Sequence, residues 1–161
     1  MQSRARAMGH SIHPVLIVFP LGLLSTAVIF DILYLINGNT GLNIASGYAI
    51  GAGVIGGLVA AVFGLVDWLA VPDGTRAKRV CLLHGLGNVV AVVLFAGSWL
   101  LRTNPGLGET PWHPNAGAII LGFLGLVVAG VGGWLGGELV ERMGIGVHEN
   151  ASPDAPSSLR S

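Results

Sequence analysis

The chain has 161 residues, 52% of them apolar and 10% charged, with a mean hydropathy of +0.73. A soluble domain carries about 25% charged residues, so this composition excludes one and places the chain in a bilayer. Eight basic residues balance eight acidic ones, which leaves no basic field for nucleic acid and no groove of cations interleaved with aromatics.

Residues 1–12 read as a short tail carrying Arg4 and Arg6. Charges ahead of an apolar run resemble the start of a signal peptide. The run over 15–36 is long enough to cross a ~30 Å core, however, and no small-residue cleavage site follows, so it is expected to stay as the first span. Pro14 suits the first helical turn and places His13 at the helix mouth, whereas Pro20 lies deeper and is expected to kink the helix.

Asn37, Gly38, Asn39, Gly41 and Asn43 form a turn-rich connection without a cation. The second span is expected over 44–71. In it Gly53, Gly57, Ala60, Gly64 and Asp67 recur three or four residues apart, a smooth strip that ends on one carboxylate. A basic turn from Pro72 to Arg79 follows, and then a third span over 80–101. His84 lies inside it, with Asn88 one turn on along the same face, and Arg102 closes it. The single cysteine, Cys81, excludes an internal disulfide and fits as a small packing residue.

A proline-containing loop with Trp112 and His113 leads to a fourth span over 115–140, which ends near Glu138. The tail over 144–161 lacks the apolar content to fold and is expected to be disordered. The fold class is therefore all-α, a four-transmembrane-helix bundle over 13–143. The 26 glycines suit helices that approach closely in lipid, within one chain or between copies in a homo-oligomer.

Arg4, Arg6, Arg76, Lys78, Arg79, Arg142 and Arg160 fall on the side of the termini and the middle turn, and Arg102 alone falls opposite. This asymmetry predicts cytoplasmic termini in a bacterial-type plasma membrane. The two hairpins also read as one unit used twice. In that alignment His13 matches His84, Gly64 and Trp68 match Gly130 and Trp134, and Asp67 loosely matches Glu138.

Topology gathers His13, Asp67, His84 and Glu138 at one end, and Asp31, Arg102, His113 and Tyr48 at the other. Asp31 and Arg102 are expected to form a structural ion pair. Two facing imidazoles suit the axial positions of a b-type haem, with Asp67 accepting a ring Nδ1 proton and Asn88 in support. His10, three residues before His13, competes for the first position. A second reading uses His13, His84, Asp67 and Glu138 as a divalent-metal or proton-handling set. A third is a non-catalytic membrane anchor or assembly subunit. The chain has no Walker loop, GxSxG, HExxH or CxxC, so it shows no signature of a soluble enzyme.

His13-Pro14, Asp31, the run from Gly64 to Trp68, His84 with Asn88, and the run from Gly136 to Val140 resemble a bacterial four-helix membrane family, domain of unknown function 2231. The resemblance covers about 13–147. Some relatives are joined to Rieske-type iron-sulphur domains, which implies an electron-transfer setting. This chain holds no ligand set for such a cluster, so the resemblance implies a separate Rieske-type partner.

Overall fold

The computed structural model describes residues 1–102 and 112–158. Arg160 and most of the loop before Trp112 lie outside the described residues. The chain opens with a two-stranded antiparallel hairpin, β1 (Arg6–Ala7) and β2 (His10–Ser11), and continues into α1 (Ile12–Leu16) and α2 (Val18–Asn37). Then follow α3 (Thr40–Ala70), α4 (Arg76–Arg102) and α5 (Ala116–Gly137), the last extended by a π-helical turn over Glu138–Arg142. Four spans result, Ile12–Asn37, Thr40–Ala70, Arg76–Arg102 and Ala116–Arg142, each long and apolar enough to cross a membrane.

Pro20 does interrupt the first span, and the break falls at Ile17, between α1 and α2. A proline has no N–H for the carbonyl four residues back and crowds it sterically, which is where the helix opens. The first connection is shorter than its composition suggests. Gly38 adopts the left-handed conformation (φ 69°) that ends α2, and the Asn39 side chain caps α3 by accepting from the Gly41 N–H at 2.9 Å. Gly41 and Asn43 are therefore helical. At the middle turn Thr75 caps α4 by accepting from the Lys78 N–H at 3.1 Å. The Lys78 ammonium reaches back to the carbonyls of Trp68 (2.9 Å) and Val71 (3.1 Å) and closes the C-terminus of α3, where a cation suits the helix dipole.

Sequential helices pack as hairpins, α2 on α3 and α4 on α5. Across the two hairpins α3 meets α4 and α2 meets α5, so the first and third spans face each other diagonally. Large apolar residues such as Val62, Leu65 and Val127 point outward, as lipid contact requires. The interior is thin and tightly packed. A Cβ at Gly53 would lie 2.7 Å from Leu24, and one at Gly125 would lie 2.8 Å from Phe95.

These contacts fix the internal repeat and correct its register. A separation of 71 residues relates His13 to His84, Leu24 to Phe95, Ala27 to Ser98 and Asp31 to Arg102. One of 72 relates Ser46 to Ala118, Gly53 to Gly125, Ala60 to Gly132 and Gly64 to Gly136. Gly64 therefore corresponds to Gly136, not to Gly130, because each lies against its hairpin's histidine. Gly130 and Trp134 face outward, the latter 67% exposed. Asp67 corresponds to the buried Leu139, not to Glu138.

The repeat stacks three layers along the bundle. His13 and His84 lie at the end that holds both termini. Leu24, Ala27, Val28, Ile50 and Phe95 form an apolar middle. At the opposite end Asp31, Ser46, Ser98 and Arg102 are all buried.

Candidate functional site: a paired-histidine centre

His13 enters from α1 and His84 from α4, with ring centroids 6.4 Å apart and planes at 84°. The Nδ1 atom of His13 lies 2.9 Å from the Ala60 carbonyl on α3, and that of His84 lies 2.8 Å from the Gly132 carbonyl on α5. A carbonyl only accepts, so each Nδ1 carries a proton, and the tautomer this selects has its lone pair on Nε2. The backbone seats the rings closely. A Cβ at Gly64 would stand 3.0 Å from His13 Cε1, and one at Gly136 would stand 3.2 Å from His84 Cε1. The small-residue strips of α3 and α5 thus cradle two imidazoles.

The Asn88 amide nitrogen lies 3.1 Å from Nε2 and 3.4 Å from Nδ1 of His84. An atom so nearly equidistant from the two ring nitrogens lies on neither one's in-plane axis. The amide therefore lies against the ring, with Nε2 the nearer of the two ring nitrogens.

Asp67 does not orient either histidine. Its Oδ1 accepts from the Ser3 hydroxyl (2.6 Å) and from the N–H groups of Arg4 (3.0 Å) and Ala5 (3.3 Å), so it fastens the N-terminal segment across this end of the bundle. The same segment meets the other terminus, since the Met1 amine donates to the Gly144 carbonyl and the Gly146 N–H to the Met1 carbonyl, both at 2.9 Å. Glu138 pairs with Arg76 at 3.2 Å and lies 3.8 Å from Arg142. The four-residue metal set is thus split between three sites. Among the described residues no group of three or more His, Cys, Asp or Glu is placed to hold a metal. His10, on β2, turns to Ser158 at 3.2 Å.

At the opposite end Arg102 binds Asp31 through both terminal nitrogens, with Nη1 2.7 Å from Oδ1. Nη1 also donates to Ser46 at 3.0 Å, and Ser46 donates to Asp31 at 2.8 Å. Ser98 donates to the Ala118 carbonyl at 2.6 Å. Sequence reasoning missed Ser46 and Ser98, although each lies on the face that carries its helix's small residues. His113 lies 3.2 Å from the Tyr34 hydroxyl, and Tyr48 packs on Trp112, so neither joins this cluster.

Four apolar spans, outward leucines and valines, and glycine-lined contacts define an integral membrane bundle of two repeated hairpins. The chain belongs to the family described as "Predicted membrane protein (DUF2231)", whose model matches residues 9–149. No curated protein and no solved structure matches it.

Proposed function

We propose that this chain is a redox-associated membrane subunit whose paired imidazoles, His13 and His84, would hold a b-type haem. The observation that carries the reading is the shared tautomer. Both rings are anchored by Nδ1–H to a backbone carbonyl, the support that metal-bound histidines commonly have, and this leaves two Nε2 lone pairs. A site with only two protein donors suits haem iron, because the macrocycle supplies the other four nitrogens. A tetrahedral metal asks for three or four protein ligands. Seating a macrocycle also requires α3 and α5 to shift outward, since Gly64 and Gly136 already bring them against the rings. The group would supply one-electron transfer; the chain's part is to fix ring orientation through Ala60, Gly132 and Asn88.

In this reading the end with both termini is cytoplasmic, in a bacterial-type plasma membrane, and the electron partner is a separate Rieske-type protein. The charge asymmetry supports that orientation. Arg102, the one cation at the far end, is withdrawn into the buried pair, so the excess of Lys and Arg at the near end is unopposed.

The test is the absorption spectrum, oxidised and then dithionite-reduced, of protein purified in mild detergent from haem-supplemented cells. A sharp reduced α-band is expected, lost in His13→Ala and in His84→Ala and kept in His113→Ala. A flat spectrum from folded protein, or equal loss in all three variants, overturns the assignment.

A further inference from the structure

The two hairpins present matching faces to each other. Position for position, His13, Leu24, Ala27 and Asp31 on the first are answered by His84, Phe95, Ser98 and Arg102 on the second. Even the serine bonds are related. Ser46 Oγ lies 3.1 Å from the Ala27 carbonyl in the first hairpin, and Ser98 Oγ lies 2.6 Å from the Ala118 carbonyl in the second, between equivalent positions with hydroxyl and carbonyl exchanged. Imidazole, small and apolar layers are compatible with themselves. In these layers, then, the residue pattern sets no charge against a hairpin from one copy meeting the same hairpin of another.

One layer breaks that equivalence. Asp31 and Arg102 occupy equivalent positions on the two diagonal spans and carry opposite charges, buried to 2% and 1% exposure. Pairing like hairpins would set carboxylate against carboxylate in one bundle and guanidinium against guanidinium in the other, each unneutralised inside a membrane. We infer that the Asp31–Arg102 pair selects the partner: it restricts association to first hairpin with second and suppresses assembly of like hairpins from two copies of this chain. Buried ion pairs contribute little net stability relative to apolar replacements, and fixing which partner is accepted is their best-attested use. Ser46 supports this role, since it touches both charged groups and holds them in register.

The test uses the full chain and reads oligomeric state by native mass spectrometry from detergent. With both charges removed (Asp31→Ala with Arg102→Ala), the faces lose their distinction and the dimer fraction is expected to rise severalfold over wild type. With the charges exchanged (Asp31→Arg with Arg102→Asp), the wild-type distribution is expected to return. An uncharged variant that keeps the wild-type distribution, or an exchanged variant that behaves like the uncharged one, overturns the inference. Should the uncharged chain fail to fold, differently tagged Asp31→Arg and Arg102→Asp chains decide it. Each carries like charges and is expected to misassemble alone, and together they should recover as a one-to-one dimer. No recovery on co-expression counts against the proposal.

Discussion

At the residue scale the histidines depend on what is missing beside them. Gly64 and Gly136 leave room for a ring, and a Cβ at either position would stand 3.0 to 3.2 Å from Cε1. Gly64→Leu is therefore expected to cost about 1–3 kcal/mol by overpacking and to displace His13 from the Ala60 carbonyl. A lowered melting temperature in detergent checks the first effect, and a shifted His13 ring resonance checks the second. Arg102 is a harsher case, because Arg102→Leu leaves the Asp31 carboxylate buried without its cation. Loss of one partner of a buried pair costs about 3–5 kcal/mol, so this variant should unfold at markedly lower denaturant than wild type.

At the element scale one carboxylate on α3 gathers three of the bonds that hold the N-terminal segment. Asp67→Ala removes the acceptor for Ser3, Arg4 and Ala5 together, so trypsin should cleave after Arg4 and Arg6 much faster while the spans stay protected. Unchanged cleavage would show that the contacts with 144–146 hold the segment alone. The start of α3 offers a second case through the repeat. Asn115 caps α5 by accepting from the Ala118 N–H at 2.9 Å, and Asn43 is its equivalent. Asn39 starts α3 a turn earlier, so Asn43 has no capping task and lies fully buried, its amide unpaired among the described residues. An unpaired buried amide costs about 1–3 kcal/mol. Asn43→Leu should therefore raise the melting temperature, and a fall would reveal a partner for the amide.

At the scale of the whole molecule, the four spans and the shared end of both histidines were legible because apolar length and alternating topology dictate them. The Asp31–Arg102 pair was legible as well, whereas the partners of Asp67 and Glu138 were not. Asp67 looked like an orienter because the donors that reach it from Arg4 and Ala5 are backbone N–H groups, which no side-chain pattern announces. The tryptophans suggest one register for the repeat, whereas the packing aligns the glycines beneath the histidines. The 37–43 stretch looked like a loop because Asn and Gly favour turns, yet a single Asn cap was enough to carry Gly41 and Asn43 into the helix. Orientation is open to direct measurement. In a Cys81→Ser background, single cysteines at positions 2 and 74 should react with an impermeant maleimide only after the cytoplasmic side is opened. Reaction in intact cells would reverse the assignment.

The apolar middle layer has a consequence for traffic. Leu24, Ala27, Val28, Ile50 and Phe95 are each no more than 6% exposed, and they lie between the histidines and the Asp31–Arg102 layer. Beyond the imidazoles and the Asn88 amide, a hydrated ion or a proton would meet hydrocarbon before the Asp31–Arg102 pair. For the proposed haem subunit, this layer would make the bundle one-sided, with charge entering and leaving by the histidine end.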